Sequence, residues 1–269
     1  MFAPVKTDAV RTIACLHSSG ASGRQWNMLR EYVGERFDVL TPNLIGYGRD
    51  LFGQGSPLSI RQEVDAVVAQ IDAAGGKAHL VGHSYGGAIA THLALWHPER
   101  VASLTIYEPV MFSMLYADNA ASAEVQEVER VADSIIYQLD SVYGRYQGAR
   151  DFINYWSGGD AWHGMEGRQH ARFASLMPKI AAEFRALADV GTFARSLADI
   201  RVPVRLFSGS ATRNSTRRIV ELFSEAAPRV EAHVLEGLGH MGPVTHPFRV
   251  NPLVVDHIVE NSFVEAAAA

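Results

Sequence analysis

A single cysteine, Cys15, stands among the 269 residues, so no intramolecular disulfide can form and no cysteine cluster is available for zinc. Set in an apolar segment, Cys15 reads as a small buried hydrophobe. Positive charge is not in excess: 24 Lys and Arg stand against 29 Asp and Glu, a formal net charge of −5. That balance offers no basic field to nucleic acid or to an anionic membrane, and neither is expected as a partner. Long hydrophobic runs are missing as well. The longest, over 104–117, carries Glu108 and Pro109 and is too short to cross a bilayer. Residues 1–12 lack a basic stretch followed by a long apolar core, so no secretory signal is expected and the chain is assigned to the cytoplasm. Neither internal repeats nor low-complexity linkers occur, and the alanines at 266–269 read as a frayed end.

What is present is a chain 48% hydrophobic and 20% charged, enough to bury a full core as one large domain or as one domain with an insertion. Strand and helix signals alternate, the pattern of a mostly parallel sheet with helices on both faces. Strands are expected over 11–16, 37–41, 104–107, 204–207 and 231–235, with a further one leading into Ser84. Helices are expected over 25–32, 60–73, 217–226 and from about 251. The helix over 60–73 places Val64, Val67, Val68 and Ile71 on one face. Residues 42–57 read as a glycine-rich loop. Between about 110 and 197 no strand signal occurs, and the helical segments there are rich in aromatics. A structureless loop of that length would be improbable, so a helical insertion is expected: 1–109 and 198–269 as an α/β core, 110–197 as a cap.

The most informative stretch is His79-Leu80-Val81-Gly82-His83-Ser84-Tyr85-Gly86-Gly87. A G-x-S-x-G segment lets the chain leave a buried strand, pass a strained turn and enter a helix at once, leaving the serine exposed at the junction. Ala88, Ile89, Ala90, Leu93, Ala94 and Leu95 follow at helical spacing, so the positive end of that helix would face developing oxyanion charge. Ser84 is the candidate nucleophile. A second glycine-rich loop, Gly237-Leu238-Gly239-His240-Met241-Gly242-Pro243, follows the last expected strand. Removing a serine proton needs a base that titrates near neutrality, and imidazole does so unperturbed. His240 is the candidate base.

Taken with Leu16-His17-Ser18-Ser19-Gly20 and Asn43-Leu44-Ile45-Gly46-Tyr47-Gly48, these motifs run in an order that resembles a serine hydrolase of the α/β-hydrolase fold. The resemblance implies that Ser84 attacks an acyl carbon, that His240 serves as base and then acid, and that an acidic residue orients the histidine. Most such proteins carry an Asp shortly after the strand that here spans 204–207, where this chain has Thr212. Other members of the fold place the acid at the end of the strand after the nucleophile's helix, and that position here is Glu108, followed by Pro109. A carboxylate at this edge would be partly buried and would need a partner. Ser84, Glu108 and His240 are therefore the expected triad.

The resemblance also implies an oxyanion hole of two backbone amides, one from Tyr85 and one from the loop after the first strand, at Ser19 or Ser18. His17 is expected to brace that loop. Met111 and Met241, adjacent to Glu108 and His240, are the expected lining of an apolar substrate pocket under the cap. No metal, nucleotide or other cofactor is implied, because the Asp and His residues show no ligand spacing and the glycine-rich segments lack a phosphate-loop context. The expected activity is a carboxylesterase acting on a small apolar molecule through an acyl-enzyme. C–C bond hydrolysis and perhydrolysis are alternatives on the same fold, and a small-molecule receptor is an alternative of another class. A serine in place of an aspartate nucleophile argues against dehalogenase and epoxide hydrolase chemistry. The sequence leaves the oligomeric state open.

Overall fold

Strands β1 (Thr12–Leu16) and β3 (Ala78–His83) are buried at every position, as strands covered on both faces must be. They form the centre of a parallel sheet in the order β2-β1-β3-β4-β5-β6, with β2 at Asp38–Leu40, β4 at Val101–Tyr107, β5 at Val204–Gly209 and β6 at Val230–Leu235. This computed structural model describes residues 10–48, 52, 57–188, 197–227 and 229–262. The loop expected over 42–57 lies partly outside those residues, as does the end of the expected cap, and the alanines at 266–269 lie wholly outside them.

The alternation of side chains along each strand divides the core in two. Leu16, Leu80, Leu104, Ile106 and Leu206 belong to the larger apolar cluster, which also takes in residues of α2 (Ile60–Ala73) and α3 (Tyr85–Trp96). Ile13, Cys15, Val81, Tyr107 and Phe207 belong to the other, with α1 (Asn27–Val33) and the last helix, Pro247–Ser262. Cys15 is the small buried hydrophobe expected, and burial pushes its thiol pKa up. Helix α2 opens on a capping box: the Gln62 amide donates to Ser59 Oγ at 3.2 Å, and the Ser59 amide donates to Gln62 Oε1 at 2.9 Å. Val64, Val67 and Ile71 are buried on its inner face as expected, but so is Glu63.

Between β4 and β5 the chain forms α4 (Phe112–Asn119), α5 (Ala123–Ile136), α6 (Val142–Ser157) and α7 (Gly167–Ala188), and no strand occurs there among the described residues. After β5 come α8 (Asn214–Ala226), β6, a short turn of helix α9 (Gly242–Thr245) and α10 (Pro247–Ser262). Three element starts differ from the sequence expectation by three residues or more. Strand β4 begins at Val101, where the residue pairs with Ala78. Helix α8 begins at Asn214, and α10 begins at Pro247, whose fixed φ suits a first helical position, with Pro252 tolerated inside. No helix among the described residues is long and apolar enough to cross a membrane.

Candidate active site

Ser84 occupies the junction between β3 and α3 with φ 56° and ψ −117°, a left-handed conformation that a serine adopts only where the surroundings impose it. Those surroundings are tight. A Cβ on Gly82 would lie 2.6 Å from the Gly86 carbonyl oxygen, and one on Gly86 would collide with the carbonyl group of Leu16. The Ser84 amide donates to the Tyr107 carbonyl at 3.0 Å and its carbonyl accepts from the Val110 amide at 3.3 Å, so the turn is fastened to the end of β4. As N-cap of α3 its hydroxyl makes no capping bond, which leaves Oγ free for another partner.

That partner is His240. Its Nε2 lies 2.9 Å from Ser84 Oγ, and its Nδ1 lies 2.8 Å from Glu108 Oε2. The loop bearing it is held by Tyr107, whose hydroxyl donates to the Gly239 carbonyl at 2.8 Å, and by the Ala211 amide, which donates to the Leu238 carbonyl at 2.9 Å. Beneath it, His83 Nε2 donates to the His240 carbonyl at 2.8 Å, and His83 Nδ1 accepts from Gln25 Nε2 at 3.1 Å. Burial holds the His83 pKa well below that of an ordinary imidazole, so this ring is a neutral support.

Glu108 is fully buried and also has a positive φ, 44°. Its carboxylate accepts from the Gly209 amide at 2.7 Å through Oε1, and from Thr212 Oγ1 at 2.8 Å and His240 through Oε2. Three donors satisfy a charge that burial would otherwise penalise heavily. Thr212, which stands where an aspartate was expected, thus reaches the acid as a hydrogen-bond donor. The position in the loop after β5 was the signal for it, although the sequence marked only what a threonine cannot do.

On the loop after β1, Gln25 Oε1 accepts from both the amide and the hydroxyl of Ser18 at 3.1 Å. His17 uses both ring nitrogens as a brace: Nδ1 donates to the Ser18 carbonyl at 2.8 Å and Nε2 accepts from the Leu44 amide at 3.1 Å. Burial lowers its pKa to about 4. The amides of Ser19 and Tyr85 have no acceptor among the described residues.

A narrow cavity of about 40 Å³ opens at Ser84 and His240, walled by Phe152, Ile153, Trp156, Phe173 and Met241. Trp156 lies against the catalytic-candidate imidazole, ring centroids 4.0 Å apart and planes at 31°. Of the two methionines expected to line a substrate pocket, the structure places Met241 at this cavity and Met111 away from it. Met111 is buried in the larger apolar cluster at the start of α4, because Glu108 and Pro109 turn the chain away from the pocket immediately after β4. Trp162 and Tyr155 also stay off the wall: Trp162 stacks on His170, and the Tyr155 hydroxyl bonds Ser215 Oγ at 2.7 Å. No cluster of three or more His, Cys, Asp or Glu suited to a metal ion occurs among the described residues.

Residues 13–253 match the sequence model of the alpha/beta hydrolase family. Over 129 residues the chain is 35% identical to lipase LipV of Mycobacterium tuberculosis, covering 48% of this chain and 44% of that protein. Over 111 residues it is 35% identical to a pimeloyl-(acyl-carrier protein) methyl ester esterase of Neisseria meningitidis serogroup A, covering 41% of this chain and 33% of that one. It therefore spans less than half the length of these curated relatives. Among solved structures it is similar to a hydrolase from Pseudomonas aeruginosa, with TM-score 0.73 and 21% identity over 95% of this chain and 91% of that one. A thermophilic esterase from Thermogutta terrifontis gives TM-score 0.72 and 17% identity over 93% and 90%. These two likenesses show the fold.

Proposed function

Because the chain belongs to the α/β-hydrolase family, we propose that it is a serine carboxylesterase with a Ser84–His240–Glu108 triad. The observation that carries the reading is the unbroken row of hydrogen bonds, 2.9 Å from Ser84 Oγ to His240 and 2.8 Å from His240 to Glu108. Ser84 Oγ attacks the ester carbonyl carbon as His240 Nε2 takes its proton. Glu108 holds the Nδ1–H and stabilises the imidazolium. The tetrahedral oxyanion accepts from the amides of Tyr85 and Ser19; Ser19 is the choice over Ser18 because Gln25 already occupies the Ser18 amide. Collapse breaks the C–O bond, and the alcohol leaves with the proton from His240. Water then enters, loses a proton to His240 and releases the acid from Ser84.

Helices α4–α7 act as the cap, since α6 supplies Phe152, Ile153 and Trp156 to the cavity. The apolar walls and the narrowness of the cavity support a small apolar ester as substrate. Relatives named as a lipase and a methyl ester esterase support the ester linkage. A cytoplasmic site of action belongs to the same proposal, in keeping with the buried free thiol of Cys15. The test is turnover of p-nitrophenyl acetate and butyrate by the native protein and by Ser84→Ala. Turnover lost in the variant supports the reading; tight ligand binding with negligible turnover in the native protein overturns it in favour of a receptor.

A further inference from the structure

Lys179 is 1% exposed, and the two carboxylates around it, Glu63 and Glu183, are 0% and 1% exposed. Its Nζ lies 2.7 Å from Glu63 Oε1 and 3.3 Å from Glu183 Oε1, with the rings of Tyr85 and Tyr47 at 5.0 and 5.3 Å. Withdrawing three charges from water costs several kcal/mol for each ion, and apolar replacements of such clusters are often neutral or stabilising. Stability is therefore a poor explanation for this one. What it holds is more telling. Glu183 Oε2 accepts from the Ser19 hydroxyl at 2.5 Å, and Glu63 Oε1 accepts from the Tyr85 hydroxyl at 3.2 Å.

Ser19 and Tyr85 lie on different elements, one in the loop after β1 and the other at the first residue of α3. They are the two residues whose amides form the oxyanion hole in the function proposed above, on which this inference rests. Lys179 and Glu183 lie on α7, in the cap, and Glu63 lies on α2, in the core. From the same helix Arg172 donates to the Gly20 carbonyl at 2.9 Å, a second hold on the Ser19 loop.

We propose that Glu63, Lys179 and Glu183 are positioning residues of the oxyanion hole, a buried ion cluster through which the seated cap sets the distance between the Ser19 and Tyr85 amides. The ammonium joins the carboxylate that steadies one donor residue to the carboxylate that steadies the other. Removing it leaves each amide in place within its own element and frees the spacing between them. A change in that spacing weakens the transition state more than the bound ester, because the oxyanion exists only in the former.

The test compares native protein, Lys179→Met, Glu183→Gln, Ser19→Ala and the double variant Ser19→Ala/Glu183→Gln. Each is measured for kcat and KM on p-nitrophenyl butyrate and for the inhibition constant of an alkyl trifluoromethyl ketone, whose adduct carries an oxyanion. Lys179→Met is expected to lower kcat by about 10- to 100-fold with KM within about threefold, and to weaken the ketone by the same factor as kcat. The double variant is expected to lose no more than the worse of its two single variants. If Lys179→Met does not fold, this cycle alone decides. Additive losses in the cycle, or native kcat and ketone affinity in a folded Lys179→Met, overturn the proposal. Native turnover in Ser84→Ala would instead sink the esterase reading beneath it, so the two failures are distinguishable.

Discussion

Thr212 Oγ1 donates at 2.8 Å to Glu108 Oε2, the same oxygen that faces His240 Nδ1 at 2.8 Å. A residue in the loop after β5 thus reaches the acid supplied by the end of β4. Hydrogen bonds to a buried charge contribute about 1.5–3 kcal/mol. Thr212→Val should therefore lower kcat on p-nitrophenyl butyrate by about tenfold while leaving KM close to native.

The same geometry predicts that the acid can be moved. Glu108→Gln keeps the shape and removes the charge, and should lower kcat by about 10²- to 10⁴-fold. Thr212→Asp in that background places a carboxylate within reach of His240 and should recover at least about tenfold of the loss. In the native background it sets two carboxylates side by side and should destabilise the fold. Near-native kcat in Glu108→Gln alone would contradict the assignment of the acid.

Trp156 is 8% exposed and covers one face of the His240 ring. Contact with an aromatic face favours the imidazolium formed during attack by about 1 kcal/mol. Truncation to Ala also opens the cavity. Trp156→Ala should lose about 3 kcal/mol of stability in urea unfolding, lower kcat/KM for butyrate by about tenfold and shift preference toward longer acyl chains. An unchanged chain-length profile would remove Trp156 from the substrate wall.

Stability should fall in acid through four buried histidines outside the triad, His83 among them. Burial lowers the pKa of His17 and His92 to about 4 and that of His257 to about 3, from 6.5. Between 6.5 and these values the unfolded chain binds protons that the native rings refuse. Stability is therefore unaffected by them above pH 6.5 and declines below it, by up to about 1.4 kcal/mol per pH unit for each ring. Urea midpoints at pH 7.5, 6 and 5 read this directly. A midpoint that stays level down to pH 5 would contradict it.

The sheet was legible because its strands are short apolar runs between turn residues, and Gly82 and Gly86 marked a close approach that only glycine permits. Proximity across the fold was less legible. Met111 is three residues from Glu108 in sequence yet faces the core, because the chain turns at Pro109. Trp156 was one aromatic among many on the helical insertion, and nothing in its spacing singled it out against His240. The charged cluster left a trace: Glu63 lies three residues after Ile60 and beside Val64 on the buried stripe of α2, and Lys179 and Glu183 share a turn-to-turn spacing on α7. Charges at helical positions are usually solvated, and only the folded chain, which sets Lys179 Nζ of α7 2.7 Å from Glu63 of α2, brings these three together.

The proposed acyl-enzyme requires that Ser84 itself be the residue that becomes covalently modified. Incubation of the protein with an alkyl fluorophosphonate, followed by mass spectrometry of its peptides, tests this most directly. One phosphonyl group per chain is expected, on Ser84, with loss of p-nitrophenyl butyrate turnover in step with labelling. A label on another residue, or full turnover in protein quantitatively labelled at Ser84, would contradict it.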